Sequence, residues 1–241
     1  MAESFRSGLP PEGRNVILDS LPREVRQSLR RHLSETDLEI RQVLFAEEAG
    51  VEGVCFPISC VISRLVGLPD GTTVEVSLAG REGLVGFPAM LDNPWSAFRA
   101  LVQFPGRALF LPGKEARRLL ENARAAEVVF SYLFSVMRET SLNAACARVH
   151  SAIQRLSRWL LSLQDRAGAD DFPLTQQFLS EMLGVRRESV TLAAQELRMA
   201  GAIDYQRGTL RITEPSRLEE RACPCYAEIV EGYVRFLRRP S

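Results

Sequence analysis

Apolar and polar positions follow two different rhythms along this chain. From about Val16 to Leu111 the apolar residues come in short runs broken by turn residues. Leu21, Val25, Leu29 and Leu33 stand at helical spacing and predict one short helix, with Pro22 in its first turn, where a missing N–H costs nothing. The runs Gln42–Phe45, Val54–Phe56, Cys60–Val66, Thr73–Leu78, Phe98–Phe104 and Arg107–Leu111 read as strands. Asp70-Gly71 between two of them is a hairpin signal, because Gly accepts the positive φ of such turns. Many short strands with frequent turns predict a small β-barrel or sandwich.

From Lys114 to His150 proline is absent and the period becomes helical. A short helix is predicted over Glu115–Asn122 and a long one from about Ala125 to Val149. Val128, Tyr132, Val136 (or Met137), Thr140, Ala144 and Ala147 run along one side of the long helix at near-heptad spacing. Such a stripe suits either pairing with a second copy or packing on the β domain. Ala152 to Arg166 is a further amphipathic helix, with Ile153, Leu156, Trp159, Leu160 and Leu163 on its apolar side. From Ser151 onward the pattern is helical until a terminal hairpin.

The segment from Leu174 to Met199 carries the chemistry. Thr175 can cap a short helix whose apolar side is Phe178, Leu179 and Leu183; Gly184 then permits a sharp turn, and Val185 plugs it. A second helix from about Arg187 buries Val190, Ala193, Ala194 and Leu197. Its first turn crowds Arg186, Arg187, Glu188, Ser189 and Thr191. In a helix-turn-helix the second helix presents its N-terminal side chains to base edges in the major groove. Arg187 can fork onto guanine and Glu188 can accept from a cytosine amine, while Thr175, Gln176, Gln177 and Ser189 suit phosphate contacts. An ordinary helical hairpin with a solvated face has the same periodicity. What favours DNA is the next segment, where Ile203 and Tyr205, then Leu210 and Ile212, form a hairpin wing with Arg207 at its tip.

Composition narrows the classes. A hydrophobic fraction of 46% against 25% charged residues supports a packed core. No apolar run approaches a membrane span, and Met1–Arg14 is polar and unlike a secretory signal, so the expected location is the cytoplasm. Thirty basic residues balance thirty acidic ones, which removes any general attraction to nucleic acid. Five cysteines without framework spacing argue against a secreted disulfide scaffold. Cys223 and Cys225 are too close to bridge each other easily. They are structural, or they meet a soft metal or an oxidant with help from elsewhere, and the expectation is no metal and no cofactor. No nucleophile triad, P-loop or dinucleotide fingerprint is present, which points away from an enzyme.

With Leu174-Thr-Gln-Gln, Gly184 and Arg187-Glu188-Ser189-Val190 in order and spacing, the chain resembles the Crp/Fnr family of transcription regulators. The resemblance implies an α+β fold: an N-terminal β-roll (a cupin-like jelly roll, residues 1–113), a linker and dimerisation helix (114–150) and a winged helix-turn-helix (151–241). It also implies a cytoplasmic homodimer that binds a palindromic site on double-stranded DNA and works with RNA polymerase. An effector- or redox-sensing adaptor that keeps this fold without binding DNA is the alternative. The family's main base-reading positions fall on Arg187 and Glu188, whereas Leu192 stands where Arg is frequent. The cyclic-nucleotide cassette is degraded, reading Gly86-Phe87-Pro88 and Trp95-Ser96-Ala97 where the family's sensors place Glu and Arg. Burying a cyclic phosphate without a cation is costly, so no tight cyclic-AMP binding is expected. Gly86, Phe87, Trp95, Ser96, Thr140 and Ser141 mark the corresponding pocket, whose aromatic residues either fill it or line a site for an apolar effector. No cysteine precedes Leu44, so the family's N-terminal iron–sulfur centre is excluded, and His32 and His150 are expected on the surface.

Overall fold

The computed structural model describes residues 5, 6, 8–11, 13–206 and 208–237. Strands β1 (Ser34–Leu38), β2 (Val43–Phe45), β3 (Gly53–Pro57), β4 (Val61–Gly67), β5 (Thr73–Ala79), β6 (Arg99–Phe104) and β7 (Gly106–Pro112) build the first half. They pair antiparallel in two sheets, β1-β7-β3 and β2-β6-β4-β5. β4 and β5 are joined at the expected hairpin: Gly71 has φ +84°, and the Asp70 carboxylate accepts from the Thr72 N–H at 2.9 Å. β3 is buried at all five positions because the turn Phe87–Met90 and the helix Gly113–Ala116 pack against it. β1 lay outside the predicted strands: four of its five residues, Ser34, Glu35, Thr36 and Asp37, are polar and exposed, so it shows no apolar alternation. Helices Val16–Ser20 and Arg23–Arg30 precede it, the second over the predicted Leu21–Leu33 segment.

The long helix spans Ala123–Val149 and starts where the Asn122 side chain accepts from the Ala125 N–H. The short helix expected before it is split into Gly113–Ala116 and Arg118–Glu121. At His150 the backbone turns extended, and Ser151 immediately caps the next helix, Ala152–Ala167, in a reciprocal box with Gln154. The two helices are thus separated by a two-residue hinge. The stripe expected to face one way on the long helix is divided by the fold. Tyr132 is fully buried, its hydroxyl 2.9 Å from Arg64 Nη2 and 3.2 Å from the Leu84 carbonyl. Phe130, Phe134 and Met137 remain exposed on a different face.

The helix Gln176–Leu183, the turn at Gly184 and the helix Arg187–Met199 follow. β8 (Asp171–Phe172), β9 (Ile203–Gln206) and β10 (Thr209–Ile212) form a small antiparallel sheet in the order β8-β10-β9. The chain does not end on this hairpin as its pattern suggested. A short helix, Pro215–Glu219, leads to a terminal helix, Cys225–Leu237, which packs along the long helix and buries Tyr226, Ile229, Val230, Tyr233 and Phe236. One continuous core runs through all these parts.

Candidate nucleic-acid interface

The helix pair Gln176–Leu183 and Arg187–Met199 is built as its sequence requires. Thr175 Oγ1 accepts from the Phe178 N–H at 3.1 Å and starts the first helix. Gly184 ends it at φ +59°, a left-handed conformation that strains residues with a side chain. Val190, Ala193, Ala194 and Leu197 are buried, and Val185 packs half-buried in the turn. Arg186, Arg187 and Glu188 are exposed at the start of the second helix, with Ser189 and Thr191 half-buried beside them. Thr191 Oγ1 donates to Gln176 Oε1 at 2.9 Å and thereby ties the two helices together. Gln177 is exposed and donates to Glu181, and Leu192 is 67% exposed on the same helix as Thr191. β9 and β10 form the wing in the register Ile203↔Ile212 and Tyr205↔Leu210. Arg207, expected at its tip, lies outside the described residues.

Behind this surface, the helix pair docks on the β domain of its own chain. The helix Gln176–Leu183 packs on β5, Arg41 sits 5.4 Å above the Phe178 ring, and Phe172 stacks edge-on against Phe104 at 5.8 Å. Two buried polar clusters fasten the joint. In the first, Arg166 Nε donates to Glu82 at 2.8 Å and its Nη2 lies 3.3 Å from Glu139, which also accepts from the Tyr233 hydroxyl at 2.7 Å. Burial works against the charge on Arg166, but Glu139 and Glu82 outweigh it and hold its pKa well above the usual range. In the second, Glu75 accepts from Trp159 Nε1 at 2.8 Å and from Ser63 Oγ at 2.6 Å. These two donors offset only part of the burial, which pushes the Glu75 carboxyl up to about 7.

Of the expected effector residues, only Thr140 lines either of the two cavities described here. Phe87 packs edge-on against Phe130, Trp95 is 52% exposed and so fills no interior space, and buried Ser96 is tied to the Phe98 carbonyl. Gly86 has φ +90°, and a Cβ there would lie 2.3 Å from the Gly53 carbonyl, so the turn admits only glycine. Thr140 lines a small cavity of about 150 Å³ with Glu75, Asn143 and Trp159, and Ser141 is exposed nearby, its hydroxyl bound to the Met137 carbonyl.

The cysteines depart furthest from expectation. The sequence around Cys223 and Cys225 offers no third thiol or histidine nearby, yet the fold brings both. Donor atoms of Cys146, His150, Cys223 and Cys225 all lie within 4.8 Å of one another. His150 is half-buried rather than a surface residue, and its Nδ1 lies 3.4 Å from Cys146 Sγ. His32 is likewise half-buried, with Nε2 3.5 Å from Glu115. The signal that was available is the four-residue step from Cys146 to His150, which puts both on one face of the last helical turn.

The model of the Crp-like helix-turn-helix domain matches residues 154–221, which include both helices and the wing. This chain carries a Crp-like helix-turn-helix domain. Solved structures extend the likeness of fold to most of the chain. A Crp/Fnr-family protein from Eubacterium rectale superposes with a TM-score of 0.69 at 12% identity, covering 85% of this chain and 96% of that one. FixK2 from Bradyrhizobium japonicum gives 0.66 at 15% identity over 79% and 98% of the two chains. A CRP-family transcriptional regulator from Thermus thermophilus gives 0.66 at 16% over 78% and 96%. No curated protein sequence matches. The α+β architecture of β sheets, long helix and Crp-like domain is therefore the Crp/Fnr fold.

Proposed function

We propose that the chain is a sequence-specific transcription regulator that acts as a homodimer on a palindromic DNA site. The observation that carries this reading is the free first turn of the helix Arg187–Met199, where Arg187 and Glu188 are exposed beyond the Gly184 turn. Arg187 reads guanine there and Glu188 reads cytosine, while Thr175, Gln176, Gln177, Arg186, Ser189 and Thr191 position the duplex. Exposed Leu192 offers an apolar contact to a thymine methyl in place of a hydrogen bond.

An exposed apolar stripe on the long helix supports the dimer. Phe130, Phe134 and Met137 lie at four- and three-residue steps and are 53%, 64% and 58% exposed. Phe130 and Phe134 border a groove of about 750 Å³ floored by Ser135, Gly232 and Phe236. A second copy burying this stripe places two recognition helices on one face of a duplex. Residues 1–113, 114–150 and 151–241 then act as sensory, coupling and reading units in the cytoplasm, with RNA polymerase as a further partner. No helix among the described residues is long and apolar enough to cross a membrane. Control by cyclic AMP is not part of the proposal, since Phe87 and Trp95 supply no charge for its phosphate.

Selection of bound duplexes from a random pool by the purified full chain tests the reading. The expected outcome is a two-fold palindrome with half-sites about one helical turn apart. Enrichment of no sequence, together with salt-independent binding, rejects it.

A further inference from the structure

Cys146 and His150 stand one helical turn apart at the end of the long helix, and Cys223 and Cys225 flank Pro224 at the start of the terminal helix. The Sγ atoms of Cys146 and Cys223 are 3.4 Å apart, and Cys225 Sγ is 3.8 Å from His150 Nδ1. Three soft sulfur donors and one imidazole nitrogen therefore converge on a single point. We propose that Cys146, His150, Cys223 and Cys225 bind one tetrahedral soft divalent cation of the zinc class, pinning the hinge at His150-Ser151.

The spacing selects a single ion. With metal–sulfur bonds of about 2.3 Å, the edge of a regular tetrahedron is about 3.8 Å, and the donors already stand within 4.8 Å of one another. An iron–sulfur cluster interposes bridging sulfides between its ligands and needs them further apart. Charge also fits. Binding displaces three thiol protons and leaves the neutral imidazole bound through Nδ1, so a divalent ion with three thiolates carries one net negative charge. Arg158 is nearly buried, acts electrostatically on Cys146, Cys223 and Cys225, and its Nε has no hydrogen-bond partner among the described residues. Its positive charge, like that of Arg155 beside Cys146 and Cys223, opposes the negative charge of the site. The ligands join the long helix to the terminal helix across the hinge that precedes the Crp-like domain, where the Cys223 N–H also meets the Gln154 carbonyl at 3.4 Å. The site rests on donor geometry and stands independently of DNA binding.

Elemental analysis of the anaerobically purified full chain, with titration of Co²⁺ into chelator-treated protein, tests the proposal. The expected result is one zinc per chain, and with Co²⁺ a thiolate charge-transfer band and the intense visible bands of a tetrahedral site. Cys225 is the most exposed of the three thiols, so Cys225→Ser should fold with an unchanged circular dichroism spectrum and bind Co²⁺ more than tenfold more weakly. His150→Cys should keep one metal and shift the visible bands, whereas His150→Ala should lose it; a purely structural histidine predicts no such rescue. Native-like protein that binds no metal overturns the proposal. So do an iron–sulfur spectrum with acid-labile sulfide, a Cys146–Cys223 disulfide in the anaerobic protein, or parental affinity in Cys225→Ser.

Discussion

Arg166 is the cation between two buried carboxylates, and replacing it by methionine probes how the Crp-like domain is held. Side-chain exposure is 2% for Arg166, 0% for Glu82 and 2% for Glu139, so water cannot take over from the lost guanidinium. Arg64 stays within electrostatic reach of Glu139 but serves Tyr132 and the Leu84 carbonyl. Arg166 also lies 5.0 Å from the Tyr233 ring and 5.9 Å from that of Phe5, contacts that methionine keeps only in part. Removing one partner of a buried ion pair costs about 3–5 kcal/mol, most of it the penalty on the charges left behind. With a denaturant slope of about 2 kcal/mol per M, Arg166→Met should lower the urea midpoint by about 2 M. The triple variant Arg166→Met, Glu82→Gln, Glu139→Gln removes the stranded charges and should recover most of that loss. Equilibrium urea unfolding followed by circular dichroism reads both. A shift below about 0.5 M for the single variant, or a triple variant no more stable than the single, would exclude this role for Arg166.

Other outcomes follow from the same structure. Arg187→Ala should weaken specific DNA binding by about 1–3 kcal/mol and relax preference at one position per half-site, read by mobility shift against the selected palindrome. Phe134→Asp should convert the proposed dimer to monomer in sedimentation velocity without unfolding it, since Phe134 is exposed within the chain. At Gly184, φ is +59° and a Cβ would lie 2.9 Å from Val74 Cγ2, so Gly184→Ala should destabilise by about 1–3 kcal/mol in thermal unfolding. Glu75 keeps its proton in the folded chain up to about pH 7, whereas the unfolded chain releases it near pH ~4.3. The folded state binds the extra proton between these values, so the contribution of Glu75 is full below about pH 4.3 and is lost as pH rises through about 7. The change is on the order of 3 kcal/mol. Glu75→Gln should flatten this slope in urea midpoints measured from about pH 5 to about pH 8, and an unchanged slope would exclude Glu75 as its origin.

The local elements were legible in the sequence wherever one short-range signal governs the backbone. Asp70-Gly71 specifies its hairpin through positive φ, Gly184 ends its helix the same way, and Val190, Ala193, Ala194 and Leu197 mark the buried side of the helix Arg187–Met199 by spacing alone. The exposed first turn at Arg187 and Glu188, which the proposal assigns to base reading, was legible for that reason. Where the polar groups and thiols would meet was not. Tyr132 fits an exposed stripe as well as a buried one, and only the approach of β4 with Arg64 decides which. Glu82, Glu139 and Arg166 are ordinary charges along the chain and become one cluster only when β domain, long helix and Crp-like domain pack together. Cys223 and Cys225 looked unsupported because Cys146 and His150 stand far back in the chain, on a helix whose neighbour was not anticipated. Periodicity fixes which face of an element is apolar, since that depends on a few successive residues. Which element covers that face depends on chain closure over many residues, and tertiary structure alone decides it.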